Sequence, residues 1–322
     1  MTTAPIRLGT RRSHLAMTQS TWVAEQLRER GREVEIVEIT TEGDVNRASL
    51  AQMGGTGVFA AAIRRALLDG EIDMAVHSLK DLPVAPEPGL VIAGIPVRED
   101  PRDALVARDG LTLGELPEGA VVGTGSPRRA AQLATLGLGL QIRDIRGNID
   151  TRMSYVTKGE LDGVILARAG LARVERTDVI SETIDPLQML PAPGQGALGL
   201  ECREGDDRVR AALTELDDAD TRVAVTAERA VLGALGAGCA APVGALAEIV
   251  EEPDGSLEIS LRAFVGAPDG SFELRRSGVG TYDDPAAVGE ALARTLLEDG
   301  AGAVIPPRDA PDDSARSRRD DA

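Results

Sequence analysis

Along the first hundred residues, apolar positions alternate between short runs of about five and the three-to-four spacing of a helix. Ile6–Thr10 reads as a strand. Ser13 is placed to cap a helix running to about Arg30, with Leu15, Trp22, Val23, Gln26 and Leu27 near helical spacing. Val34–Ile39 alternates as a strand. A polar, glycine-bearing loop comes next over 41–57, a length at which loops are often functional. Val58–Leu68 is a helix closed by Asp69-Gly70. Asp73–His77 is a strand that leads into Ser78-Leu79-Lys80-Asp81, and Leu90–Pro96 is another strand.

The same alternation then recurs. Val121–Thr124 is a strand, and Ser126-Pro127 opens a helix through Leu136, with proline at the first helical position where its fixed φ fits. Leu140–Arg146 is a strand, Ile149–Lys158 a helix and Gly163–Ala167 a strand. Two echoes join the halves. Gly9-Thr10 then Ser13 matches Gly123-Thr124 then Ser126, and Gly70-Glu71-Ile72-Asp73 matches Gly159-Glu160-Leu161-Asp162. The expected fold is therefore α/β, with two similar lobes. Breakers at Arg98-Glu99-Asp100-Pro101 and at 190–196 bound the second lobe, 99–194. Ala197–Cys202 as a strand and Asp206–Leu216 as a helix return to the first lobe, which then comprises 1–98 and 195–216. Two strands would cross between the lobes as a hinge.

Beyond 216 the pattern changes. Ala219–Leu235 is a helix, and 237–242 is a loop of small residues holding Cys239. Val243–Val250, Leu257–Val265 and Phe272–Val279 alternate as antiparallel strands joined by Pro-Asp-Gly turns, and Pro285–Glu298 closes the chain as a helix. This predicts a small α+β domain over 217–307 with a three-stranded antiparallel sheet. The polar, charge-mixed tail 308–322 reads as disordered.

Composition narrows the function. The 322 residues carry a formal charge of −17, which excludes a fold-wide basic surface for nucleic acid. Any anion site must be a local cluster. The two cysteines, Cys202 and Cys239, make no disulfide framework, and with His14 and His77 as the only histidines no metal centre is expected. The first ten residues have no apolar export core, and no apolar run approaches ~20 residues. The reading is a cytoplasmic protein with no membrane partner. Lysine occurs only at Lys80 and Lys158 while arginine is abundant, so an arginine counts by its position.

Positions are what stand out. Arg11 and Arg12 follow the first strand. Arg128 and Arg129 lie in the first turn after Gly123-Thr124-Gly125-Ser126. Arg146 ends a strand, Arg152 sits in the next helix, and Arg168 and Arg173 follow Gly163–Ala167. Ligands of open α/β sheets bind beyond the carboxyl ends of strands, where helix N-termini also favour anions. Guanidinium groups there make a site for several carboxylates. A phosphate loop is missing, which favours an organic polyacid over a nucleotide. Lys80-Asp81 at a strand end places a cation and an anion in one cleft. Cys239, flanked by glycine and alanine, is open to covalent attachment, whereas Cys202 on a strand reads as buried and inert. Solvated or ion-paired surface arginines remain the alternative for any single position.

The ordered set is far more specific. Arg11-Arg12-Ser13, His77-Ser78-Leu79-Lys80-Asp81-Leu82-Pro83, Arg98-Glu99-Asp100-Pro101-Arg102-Asp103-Ala104, Gly123-Thr124-Gly125-Ser126-Pro127-Arg128-Arg129, Arg146-Gly147-Asn148-Ile149-Asp150-Thr151-Arg152, Leu166-Ala167-Arg168-Ala169-Gly170-Leu171, Pro191-Ala192-Pro193-Gly194-Gln195-Gly196-Ala197, Ala227-Glu228-Arg229 and Gly238-Cys239 stand in sequence. This series resembles the porphobilinogen deaminase (hydroxymethylbilane synthase) family over roughly residues 6–300. The resemblance implies two lobes like those of periplasmic binding proteins and a third domain carrying a dipyrromethane cofactor, thioether-linked to Cys239. It implies a monomeric transferase that condenses four porphobilinogen molecules head to tail, losing ammonia at each step, and then releases hydroxymethylbilane by hydrolysis. Arg11, Ser13, Lys80, Ser126, Arg128, Arg129, Arg146, Arg152 and Arg173 would hold the acetate and propionate arms, and Gln195 would line the cleft. Asp81 would stabilise the cationic azafulvene formed as ammonia leaves. One departure stands in the loop before the second helix, where Gln52 and Thr56 replace the family's lysines; His14 and Pro127 are milder differences. The rival reading is a non-catalytic two-lobed binding protein for a small polyacid, with Cys239 idle.

Overall fold

A computed structural model of the chain describes residues 4–39, 57–238 and 241–305. The expected loop over 41–57, apart from Gly57, lies outside the described residues, as do Gln52, Thr56, Cys239 and the tail beyond 305.

In the first lobe, β1 (Ile6–Thr10) pairs in parallel with β2 (Val34–Glu38) and β3 (Met74–Ser78). Between them run α1 (His14–Glu29) and α2 (Gly57–Leu68). Ser13 caps α1, its hydroxyl accepting from Ala16 N at 3.4 Å. The face of α1 that is buried holds Gln19, Ser20, Val23, Ala24 and Leu27, while Trp22, expected on that face, is 42% exposed. The apolar pattern misplaced it because two polar residues face inward instead, Gln19 hydrogen-bonded to Ser78 and Ser20 to Thr10. The sheet is completed by β4 (Leu90–Gly94) and by β10 (Leu198–Arg203), which runs antiparallel between β3 and β4. The return segment therefore belongs to the first lobe.

The second sheet repeats the plan. Its parallel strands are β6 (Val121–Gly123), β7 (Gln141–Arg143) and β8 (Gly163–Ala167), with α3 (Pro127–Thr135), α4 (Ile149–Thr157) and α5 (Arg168–Arg173) between or after them. Beside β8 lies β5 (Asp103–Ala107), antiparallel, and then the short β9 (Glu182–Thr183). The orders β2-β1-β3-β10-β4 and β7-β6-β8-β5-β9 match position for position. Each lobe fills its fourth place with the strand that has just crossed from the other.

The sequence echoes have a physical meaning. Asp73 accepts a hydrogen bond from Arg7 N (3.0 Å) and Asp162 one from Val121 N (2.7 Å), so each pins the start of β3 or β8 to its parallel neighbour, β1 or β6. Each carboxylate also holds an arginine at the end of the crossed strand, Arg203 at 2.9 Å and Arg108 at 2.6 Å. Gly9 and Gly123 are glycine because a Cβ would collide with Ile72 in one lobe and Leu161 in the other.

The crossing segments themselves are irregular between Ile95 and Arg102 and form a turn over 193–196; the strands expected to cross begin only after the crossing, at Asp103 and Leu198. The two segments touch where Glu99 N donates to Gly196 O (3.2 Å). Gly196 has φ +87, and a Cβ there would strike the Glu99 carbonyl. β7 is also shorter than expected, so Arg146 sits in the turn before α4 rather than on a strand end.

The C-terminal part folds as α6 (Asp207–Thr214) against the first lobe, then α7 (Ala219–Ala234), the antiparallel strands β11 (Val243–Glu251), β12 (Leu257–Gly266) and β13 (Glu273–Thr281), and α8 (Pro285–Glu298). α7 and α8 bury one face of the sheet in a core of alanine, valine, leucine and isoleucine. Glu228 of α7, fully buried, ties the three parts together. It accepts from Arg98 (2.6 and 2.9 Å) on one crossing segment, Gly194 N (2.7 Å) on the other and Ala247 N (3.0 Å) of β11. Buried charge on this scale persists only with such partners.

Candidate functional site

The 3-10 turn Leu79–Asp81 follows β3 directly and carries Lys80 and Asp81, both half-buried. Its conformation is fixed from behind. Leu79 is buried, and Arg229 of α7 donates to the carbonyls of Leu79 (3.0 Å), Leu82 (3.0 Å) and Pro83 (2.7 Å). The Lys80 ammonium donates to Gln195 Oε1 at 3.2 Å. Burial, opposed by Asp81, brings its pKa down to about 8, with the charges of Arg129, Asp103 and Arg128 also acting on it.

Arg128 and Arg129 lie in the first turn of α3, capped by the Ser126 hydroxyl. A first helical turn disfavours cations, and the structure compensates with a counter-ion. The two guanidiniums face inward onto Asp103, at 2.7 and 2.8 Å. Arg128 also donates to Leu190 O and Arg129 to Ile165 O (3.0 Å). Burial would raise the Asp103 carboxyl, but the two arginines hold it well below the carboxylate range. Both Nε atoms are buried without a hydrogen-bond partner among the described residues.

Arg152, half-buried in α4, donates to Gly147 O (2.9 Å) and lies near enough to Arg129, Arg146 and Asp81 to feel their charges. Arg146 is exposed, paired with Asp144. Arg173, at the end of α5, sits on the hinge and donates to Gly196 O at 2.6 Å; burial lowers it to about 10 against the pull of Glu99. Arg11 follows β1, half-buried, next to Ser13. The Ser13 and Ser126 hydroxyls each spend a lone pair on a helix cap and keep their own O–H.

The structure thus brings Lys80, Asp81, Arg128, Arg129, Arg146, Arg152 and Gln195 together between the lobes. Arg173 stands at the hinge, and Arg11 and Ser13 at the end of β1. Cys202 is buried in the first lobe's core, its thiol pushed up to about 11 first by desolvation. Asp103 and Glu228 organise the site, yet neither stands out in the sequence as an individual residue. Their signal is an acid inside an otherwise apolar strand or helix face.

Lys80, Arg128, Arg129, Arg146 and Arg152, drawn from two α/β lobes and set near Asp81 and Asp103, make a cationic cluster suited to a ligand with several carboxylates, with Asp81 able to oppose positive charge within it. Comparison with known proteins gives this class its family. Residues 6–211 match the family model described as porphobilinogen deaminase, dipyromethane cofactor binding domain, and residues 222–298 match porphobilinogen deaminase, C-terminal domain. The porphobilinogen deaminase of Mycobacteroides abscessus is 59% identical over 304 residues, covering 93% of this chain and 99% of its own. That of Mycobacterium tuberculosis is 57% identical over 300 residues, covering 92% and 97%. The chain belongs to the porphobilinogen deaminase family. Among solved structures, a nutrient-binding protein from Burkholderia cenocepacia bound to methionine is similar at 13% identity and TM-score 0.41, covering 65% of this chain and 89% of that one. The periplasmic VFT2 domain of Bordetella pertussis BvgS is similar at 15% identity and TM-score 0.40, covering 66% and 86%.

Proposed function

We propose that this chain is the transferase that condenses four porphobilinogen molecules head to tail, with loss of ammonia, on a dipyrromethane primer, and then releases hydroxymethylbilane for tetrapyrrole biosynthesis. The observation that carries the reading is that Lys80 is flanked by Asp81 and by the Arg128–Arg129–Asp103 cluster, with Arg152 near both Asp81 and Arg129. Family membership over both matched segments supports it.

The residues fit the cofactor. Two buried guanidiniums with unpartnered Nε–H groups and a lysine in one cleft suit a group bearing several carboxylates. When bound, through the thioether proposed at Cys239, the dipyrromethane supplies the pyrrole end to which substrate is joined. Arg11, Ser13, Lys80, Ser126, Arg128, Arg129, Arg146, Arg152 and Arg173 are assigned to binding and orienting the acid arms of cofactor and substrate. Asp81 is assigned to the substrate's pyrrole N–H, where its charge opposes the positive charge that grows as ammonia departs. The turn is held by Arg229, so Asp81 does not have to reorganise at that moment. We assign the first lobe to 1–98 with 195–216, the second to 99–194 and the cofactor-carrying domain to 217–307. The chain is proposed to act as a cytoplasmic monomer without nucleic acid. Among the described residues, no helix is long and apolar enough to cross a membrane.

Intact-protein mass spectrometry tests the reading. The purified chain is expected above its sequence mass, gaining discrete pyrrole increments and releasing ammonia when porphobilinogen is added, while Cys239→Ser remains at the bare mass. Wild-type chain at the bare mass after expression with substrate available, or normal turnover by Cys239→Ser, would overturn it.

A further inference from the structure

The Gln195 side chain is 1% exposed, and its hydrogen bonds leave no freedom of orientation. The two groups beside Nε2, Pro101 O (2.7 Å) and Asp103 Oδ1 (2.8 Å), can only accept. The group beside Oε1, the Lys80 ammonium (3.2 Å), can only donate. The amide therefore has one possible arrangement, and both its N–H groups are spent. Gln195 has no donor left for a ligand carboxylate, which alters the role implied by its place in the hinge motif.

We propose that Asp103 and Gln195 are positioning residues forming a relay between the lobes: one buried carboxylate sets Arg128 and Arg129 directly, and through the Gln195 amide it sets the place and charge of Lys80 on the opposite lobe. Asp103 belongs to the second lobe's sheet, Gln195 to a crossing segment and Lys80 to the first lobe's turn, so the relay spans all three. The charged groups that face Lys80 are Asp81 on its own turn and Asp103, Arg128 and Arg129 across the cleft. Two of the facing groups are cations. The Gln195 oxygen and the Asp103 anion add to Asp81 in keeping a half-buried ammonium charged against burial and these two cations. The relay rests on the proposed function in that Lys80 then meets a carboxylate of cofactor or substrate.

The chain's own composition supplies the test. Its only lysines are Lys80 and Lys158, and Lys158 is exposed at the end of α4. Acetylation of the full-length, cofactor-loaded chain with acetic anhydride, quantified at each lysine by peptide mass spectrometry across pH, gives both titration midpoints. Lys80 is expected near about 8 in the wild type. Gln195→Leu, Gln195→Met and Asp103→Asn should lower its midpoint, the two Gln195 variants because they remove the oxygen that accepts from the ammonium. Lys158 should not move in any of them. The alkaline limb of kcat/KM for porphobilinogen should follow the Lys80 midpoint downward in these variants. If Asp103→Asn does not fold, the two Gln195 variants decide. A Lys80 midpoint unmoved by both, or shifting in step with Lys158, overturns the relay. Lysine titration needs no turnover, so correct shifts in a chain that condenses no porphobilinogen would sink the functional reading and leave the relay standing.

Discussion

The strand that returns to the first lobe begins at Leu198, opposite Ser78; the strand that enters the second lobe begins at Asp103, opposite Ala167. These are the same position in two sheets of the same order. Two and three residues past each serine cap, the first lobe has Leu15 and Ala16 where the second has Arg128 and Arg129. A carboxylate and two guanidiniums thus replace three small or apolar side chains on one frame. Three positions further along the strand, the difference reverses. Glu201 of β10 holds Arg64 (2.8 Å) and His77 (3.2 Å), whereas the second lobe has Val106 in that place. The comparison separates what the fold needs from what the cleft needs. Both lobes keep the Asp73 or Asp162 pin, but only the second places Arg128 and Arg129 on Asp103 and only the first presents the Lys80–Asp81 pair.

The sharpest way to break this division is to remove Asp81, whose counterpart in the second lobe is Gly170. Asp81→Ala should keep its cofactor mass and lose about 100-fold or more in the rate of ammonia release. Wild-type rates would show that the first lobe supplies no reacting group. Next in size is making the second lobe resemble the first. Asp103→Leu leaves two buried guanidiniums without their anion, and denaturant unfolding should show a loss of about 3–5 kcal/mol. Adding Arg128→Leu and Arg129→Ala should recover much of that stability without recovering condensation. A neutral Asp103→Leu would mean that the buried triad does not hold the second lobe together.

The smallest effect concerns the shared pin. Burial tends to raise the Asp73 carboxyl, but hydrogen bonds from the Arg7 side chain and backbone and from Arg203 bring it down to about 2. A carboxyl depressed in the folded state stabilises above its unfolded pKa of ~3.9, and that contribution is lost as pH falls toward 2. Asp73→Asn should therefore cost about 2 kcal/mol at pH 7, with the gap to wild type closing between about pH 4 and 2. A gap that stays constant over that range would remove the ion pair from the explanation.

Much of this frame was legible because local rules and tertiary fold agree. The serine caps of α1 and α3, the Gly-Glu-Ile-Asp echo and the Pro-Asp-Gly turns each have a reason within a few residues. β5 was not legible. Asp103–Ala107 opens on an acid just after a proline and is then buried without alternation, so it reads as a boundary; its pairing with β8 and β9 is set by residues far along the chain. Arg128 and Arg129 stood out by position, but the sequence could not say that their charge is answered by Asp103. Trp22 misled because an aromatic at helical spacing looks like core. The anchor for the Lys80–Asp81 turn lies on a distant helix at Arg229, a contact that no local pattern announces.

The meeting of Arg98, Gly194 and Ala247 on Glu228 also dictates an order of events during synthesis. The second lobe's five strands all lie within Asp103–Thr183, so its sheet can close while the ribosome is still translating the C-terminal part of the chain. The first lobe waits for β10, and its junction with the second cannot lock until codon 247 has been read. A nascent chain released early would carry one finished half and one open sheet edge, the form most exposed to proteolysis.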